Sequence, residues 1–185
     1  MKNFLCNALV LLFASLLFAG CMGEDEETAG NDLQVGDSLP SFSVVLTVND
    51  AGDWRFSGST ITVSNSSLKG KKAVIVFFNT SCPDCQEELP IVQKLYDMTK
   101  SNADIEFLCI SREEDEGSIR RYWSANNLTL PYSPQTDKAV FNLFAGQTIP
   151  RIYITDTSSV ITSVFTDSPI TTLEQLVARL TLPGM

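Results

Sequence analysis

Cys82 and Cys85, separated by two residues, are the side chains in this 185-residue chain whose spacing most directly implies chemistry. In the stretch KKAVIVFFNTSCPDCQEELP, residues 71–90, they follow an apolar run and a short polar turn. Two thiols at this spacing can close a disulfide if they share the first turn of a helix. The unpaired amides and the macrodipole at a helix N-terminus favour a negative sulfur, which yields a usable thiolate. That thiolate attacks a partner's disulfide, and the second thiol resolves the mixed disulfide. Cys82 is the expected nucleophile and Cys85 the expected resolver. The same spacing also serves half of a zinc site or a structural bridge. A tetrahedral zinc site takes four ligands, whereas the chain has no histidine and, past Cys6 and Cys21 near its N-terminus, only Cys109 beside the pair. A structural bridge over so short a loop would restrain the unfolded chain little. Without histidine, Ser-His and Cys-His hydrolytic mechanisms are excluded.

The elements that must hold the pair follow from periodicity. Residues 73–78 form a continuous apolar run suited to a central strand covered on both faces. From Pro83 to about residue 99, Leu89, Val92, Leu95 and Tyr96 recur at helical spacing, with Pro90 inside the helix and expected to kink it. Before this unit, 41–48 with alternating Phe42, Val44 and Leu46 reads as a strand, 49–58 as turn-rich, and 60–63 as the return of a hairpin. After it comes a buried strand at 105–110. Ser111 and Glu114 have capping-box spacing for a helix over 112–126, with Ile119, Tyr122 and Trp123 inward. A connection at 127–137 leads to a short helix at 138–145, closed by Gly146. Strands at 151–155 and 160–166 form a hairpin, and Thr171 with Glu174 caps a last helix. This order implies the α/β class: a central mixed β-sheet flanked by helices, with an N-terminal β-hairpin.

Residues 1–20 combine one early lysine, a long apolar core and a small-residue end, the pattern of a secretory signal peptide. The acidic run Glu24 to Glu27 opens a stretch, 21–34, without apolar pattern that reads as a flexible tether. Residues 35–185 then suffice for one domain with a full core. Removing the signal takes away Lys2 and no acid, which moves the net charge from −9 to −10. Nucleic acid and anionic membrane surfaces are poor partners for such a chain. Of the five cysteines, Cys6 leaves with the signal, and an exported chain with one close pair uses that pair rather than being stapled by it.

Several separated features together resemble the thioredoxin superfamily: strand, C-P-D-C, Pro90 after the pair, and Ile149-Pro150 before a hairpin. The opening Val35-Gly36-Asp37 with Leu39-Pro40-Ser41-Phe42, the lead-in Leu68-Lys69-Gly70-Lys71 and the inserted helical stretch after Ser111 resemble its membrane-anchored TlpA/ResA-like branch. Phe18-Ala19-Gly20-Cys21 likewise resembles a bacterial lipobox, with Cys21 carrying the lipid. The resemblance implies a thioredoxin-like fold and a cis Ile149-Pro150 bond beside the disulfide. It also implies that the Ile149 backbone, with Pro83 and Asp84, meets an extended substrate segment. No cofactor is implied. The expected setting is the periplasmic side of a bacterial membrane, for a monomer that meets protein disulfides or dithiols and an upstream electron donor.

Thioredoxins carry a buried aspartate on the central strand, where this chain has Val76. The TlpA/ResA-like branch has a glutamate after the pair, matched here by Glu88. Cys85 and Glu88 lie three residues apart on one helix face, so the carboxylate can serve the resolving sulfur; the alternative is a solvated acid like Glu87. Asp84 places an anion between the cysteines, and like charge raises a thiol's pKa while the helix N-terminus opposes it. A reductant or mild isomerase is expected rather than a dedicated oxidase. Cys109 reads as a buried apolar residue, Trp54, Trp123, Phe77 and Phe78 as packing. Arg151 either faces an anionic partner or is turned away by strand alternation.

The function expected on these grounds is reduction of protein disulfides by a lipid-anchored extracytoplasmic oxidoreductase. One alternative is a thiol peroxidase of the related peroxiredoxin type, which would want threonine and proline where this chain has Asn79 and Ile75. The other is a non-catalytic thioredoxin-like lipoprotein subunit.

Overall fold

The computed structural model describes residues 32–48 and 59–181. The expected signal peptide, the expected lipidation site Cys21, the acidic run, the turn at 49–58 and Trp54 lie outside the described residues.

A seven-stranded mixed sheet in the order β2-β1-β5-β4-β3-β6-β7 forms the centre. Its strands are β1 (Ser43–Val48), β2 (Ser59–Ser64), β3 (Lys72–Phe78), β4 (Ile105–Ser111), β5 (Tyr132–Ser133), β6 (Arg151–Thr155) and β7 (Ile161–Phe165). β3 pairs parallel to β4 and antiparallel to β6, so the strand that delivers the cysteines is flanked on both edges. From Ala73 to Phe78 every residue is buried, as a strand covered on both faces requires. Alternation sends Phe77 and Phe78 to opposite faces. Phe77 packs among Phe141, Phe144 and Tyr153, while Phe78 packs on Trp123.

The helices are α1 (Pro83–Thr99), α2 (Glu116–Ala125), α3 (Ala139–Asn142) and α4 (Leu173–Thr181), with α1 and α4 packed on each other. α1 runs unbroken through Pro90, which is exposed. A proline there has no N–H for the Gln86 carbonyl four residues back. The Tyr122 hydroxyl of α2 approaches that orphan oxygen at 3.5 Å. Gln93, buried on α1, ties the helix to the chain entering β5: its side-chain oxygen accepts from the Thr129 and Leu130 amides at 2.8 and 3.2 Å.

Three boundaries differ from the sequence reading. Helix α2 begins later than Arg112, because Asp115 is its N-cap and accepts from the Ser118 amide at 3.0 Å. Ser111 ends β4 instead, and Glu114 is bonded elsewhere. The last helix is boxed by Thr172 and Gln175 rather than by Thr171 and Glu174: the Thr172 amide donates to Gln175 at 2.8 Å, and the Gln175 amide to the Thr172 hydroxyl at 3.3 Å. The short helix spans only Ala139–Asn142, with Phe141 and the following Phe144 buried. β5, inside the expected connection, is an added strand that joins β1 to β4.

Candidate active site

The site stands at the C-terminal end of β3. Asn79 makes the turn: its carbonyl accepts the Cys82 amide at 3.0 Å, and its side-chain oxygen accepts the Ser81 amide and hydroxyl at 2.9 and 2.6 Å. This is the local side-chain-to-backbone bonding that stops a strand and starts a turn. Cys82 then occupies the N-cap of α1 in an extended conformation, with Pro83 in the first turn, where its fixed φ suits the helix and its missing N–H costs nothing. The Gln86 amide closes the first helical bond on the Cys82 carbonyl at 3.0 Å.

The two thiols have different surroundings. Cys82 is half-buried, its sulfur 3.8 Å from the Ile149 carbonyl, to which it donates. The Ile149-Pro150 bond is cis, and both residues are buried. Cys85, one turn along, is fully buried. Burial pushes its pKa well above the ordinary thiol range, helped by the Cys82 side chain and the Glu88 charge and opposed by a backbone hydrogen bond from Asn79. An accessible thiol in front of an inaccessible one suits sequential attack by the first and then the second.

Glu88 is 1% exposed. The Thr171 amide faces one of its oxygens at 3.4 Å, and the other has no protein partner. Burial pushes its pKa up to about 7, with the Asp167 and Asp84 charges adding and the Thr171 amide opposing. Glu88 is thus no solvated twin of Glu87, which is exposed. Pro83 and Asp84 are exposed on the first turn, so the structure brings Cys82, Cys85, Glu88, Asp84, Ile149 and Pro150 into one locality. Val76 is buried in β3 opposite Cys109, whose thiol is itself fully buried and raised in pKa by that burial. No group of three His, Cys, Asp or Glu side chains suited to a metal occurs among the described residues.

Arg151 is buried and turned away from an incoming partner, toward Asp32 at 2.5 Å. Asp32, at the end of the expected tether, also accepts from the Gly146 amide at 2.9 Å, and the Leu33 amide donates to Phe144 at 2.9 Å. Burial raises the Asp32 pKa, but the Gly146 amide and the Arg151 guanidinium outweigh it and hold the carboxyl below its usual value. Arg151 in turn donates from Nε to the Thr148 carbonyl at 3.2 Å, so the chain's entry is tied to the loop before Pro150. Asp32→Asn keeps an acceptor for Gly146 and loses the ion pair. The expected cost is about 1–2 kcal/mol above pH 5, read as a lowered melting temperature. Because the folded-state pKa is depressed, this contribution fades as pH falls through it, and parent and variant converge in acid.

Asn79, Glu114, Thr171 and Arg112 lie around the pair, and nothing in the sequence marks them as parts of the site. The Arg112 carbonyl accepts the Asn79 side-chain amide at 3.0 Å, and its guanidinium donates to the Gln147 carbonyl at 2.6 Å and lies over the Phe141 ring. An asparagine directly after a strand is a turn signal in its own right. The others act across long sequence separations, and the spacing of Glu114 and Thr171 suggests helix caps instead.

The family model described as Redoxin matches residues 34–180. The thiol-disulfide oxidoreductase ResA of Oceanobacillus iheyensis is 26% identical over 152 residues, covering 81% of this chain and 73% of that protein. Among solved structures, a thiol:disulfide interchange protein of the thioredoxin family from Chlorobium tepidum superposes with a TM-score of 0.61 at 22% identity, over 81% of this chain and 97% of that one. Mycobacterium tuberculosis AhpC superposes equally well, with a TM-score of 0.61 at 17% identity over 81% and 92%. The fold is therefore thioredoxin-like. With the Redoxin match across most of its length and the C-P-D-C pair at the head of α1, the chain belongs to the Redoxin family, as a TlpA/ResA-like member of the thioredoxin superfamily.

Proposed function

We propose that the protein is a lipid-anchored, extracytoplasmic thiol-disulfide oxidoreductase that reduces protein disulfides with Cys82 and Cys85. The observation that carries this reading is the pairing of a half-exposed N-cap thiol with a fully buried one a turn behind it, beside the Ile149 carbonyl. The Cys82 thiolate attacks one sulfur of the substrate disulfide, and the other leaves as a thiolate that takes up a proton. Cys85 then gives its proton to the ionised Glu88 carboxylate and attacks the Cys82 sulfur. The substrate departs as a dithiol, and the two electrons it gained leave a Cys82–Cys85 disulfide. An upstream dithiol donor returns those electrons. The Ile149 backbone, with the exposed Pro83 and Asp84, receives the extended substrate segment.

The Glu88 charge behind the pair favours the protonated Cys85 thiol and so a reducing rather than strongly oxidising pair, and Asp84 places a further anion between the cysteines. Export and anchoring rest on the signal-like residues 1–20 and on Cys21. Among the described residues no helix is long and apolar enough to cross a membrane. The peroxidase alternative draws on fold likeness alone, since Asn79 and Ile75 stand where that chemistry wants threonine and proline.

Insulin reduction in the presence of dithiothreitol tests the reading. The parent is expected to accelerate precipitation of the insulin B chain, and Cys82→Ser to leave it at the uncatalysed rate. Equal rates for the two proteins would defeat the redox function, and fast peroxide turnover by the parent would move it to the peroxidase class.

A further inference from the structure

Glu114 belongs to the loop after β4, is 8% exposed, and spends its carboxylate on a single residue of another segment. The Thr80 amide donates to Glu114 Oε2 at 2.8 Å, and the Thr80 hydroxyl donates to Oε1. The Thr80 carbonyl in turn accepts from Gln86 Nε2, on the first turn of α1, at 2.7 Å. Every polar group of Thr80 is thereby held, two residues before Cys82. The holder is itself anchored. The Glu114 amide donates to the Gln135 carbonyl at 2.7 Å, and the Ser111 hydroxyl, which accepts the Gln135 amide at 2.7 Å, lies 3.3 Å from the Glu114 carbonyl. Glu113, just before it, takes a positive φ of 57°, the turn that sends the Glu114 side chain's segment back across the strand ends.

A buried carboxylate is costly unless its oxygens are hydrogen-bonded, and this one is bonded only to the turn that presents the nucleophile. We infer that Glu114 is a positioning residue: by clamping Thr80 it fixes the Asn79–Cys82 turn, and so holds Cys82 within bonding reach of Cys85 and of the Ile149 carbonyl. The inference rests on the proposed dithiol function. Closing the disulfide needs the two sulfurs about 2.05 Å apart with a defined dihedral angle. A turn already fixed before closure loses little further freedom. A loosened turn loses more, which weakens the disulfide relative to the dithiol and makes the pair more oxidising.

The test is equilibration with glutathione buffers, followed by alkylation of remaining thiols and mass measurement. In that exchange, oxidised glutathione takes two electrons and two protons from Cys82 and Cys85 and leaves as two molecules of the thiol. For Glu114→Ala the disulfide is expected to be weaker by about tenfold, which for a two-electron couple is about 30 mV toward the oxidising side. Glu114→Gln offers an oxygen to the Thr80 amide and an NH₂ to its hydroxyl, and is expected to restore the parent constant. Thr80→Val removes only the hydroxyl contact and shifts the constant the same way by less, which keeps the test open if Glu114→Ala fails to fold. Val63→Ala, on β2 away from the site, serves as a destabilised control with an unshifted constant. Superposed titrations for parent, Glu114→Ala and Thr80→Val would overturn the positioning role, as would a matching shift in Val63→Ala. A parent that forms no glutathione-titratable disulfide would overturn the dithiol reading beneath it.

Discussion

Cys85→Ser turns catalysis into capture: the protein accumulates as a mixed disulfide between Cys82 and its substrate. Cys82 keeps its half-exposed N-cap position and still attacks, while the thiol that would release the adduct is gone. An oriented neighbouring group acts at effective molarities of about 10⁵ M or more, so external thiols at ordinary concentrations replace Cys85 poorly. The adduct's lifetime is expected to rise by at least about 10³-fold on that ground. Cys109 does not rescue it, because it is fully buried in β4 and its pKa is raised by that burial. Non-reducing electrophoresis and peptide mapping check the outcome. Adducts through Cys82 that vanish in a Cys82→Ser, Cys85→Ser double variant are expected, and adducts mapping to Cys109 would contradict the assignment.

Glu88→Gln should slow the enzyme and stabilise the fold at the same time. In the proposed mechanism the resolving step passes the Cys85 proton to Glu88, and loss of a positioned base is expected to cost about 10²-fold or more in that step. In the parent, resolution rises with pH through an inflection set by a carboxyl pushed up to about 7; in the variant that inflection disappears. The stability effect has the opposite sign. The pKa of Glu88 is raised from 4.5 to about 7, so between those values the folded state holds a proton the unfolded chain has released. Stability therefore falls as pH rises through that window, reaching a cost of about 3 kcal/mol above it. Glutamine keeps an acceptor for the Thr171 amide and carries no charge to bury. The variant is expected to melt about 5–10 °C higher than the parent at pH 8 and to lose that advantage below pH 4.5, as thermal unfolding at the two pH values would reveal. A variant less stable than the parent at pH 8 would mean that Glu88 is held charged by partners of its own.

The features that could be read from sequence were those written in short-range pattern. The β3 run, the N-cap cysteine with Pro83 behind it, and the helical spacing of Leu89, Val92 and Leu95 each announce themselves within a few residues, and α1 spans Pro83–Thr99 as its periodicity implied. β5 did not, because Pro131 and Pro134 bracket a strand of two residues whose partners are β1 and β4 rather than a hairpin neighbour. The helix caps fall one to four residues from their expected places, where Thr171 and Thr172 stand side by side and where Asp115 competes with Ser111. Ser111 and Glu114 had the right spacing for a cap but were drawn instead to Gln135 and Thr80, contacts that exist only once the strands are assembled. The same holds for Asp32 and Arg151, 119 residues apart, and for Thr171 against Glu88, 83 apart. Side chains that tie loops to loops carry no period, and these are the ones that surround the cysteines.

Whether Cys82 and Cys85 form a reversible redox pair is decided by counting thiols in the purified protein across a series of glutathione or dithiothreitol buffers. One two-electron transition is expected, in which Cys82 and Cys85 lose their thiols together while Cys109 stays reduced. Its midpoint is expected well below the roughly −120 mV of a strong periplasmic oxidant. Free thiols at Cys82 and Cys85 at every poise would rule out the redox pair, and a transition near −120 mV would reverse the direction of electron flow assigned to it.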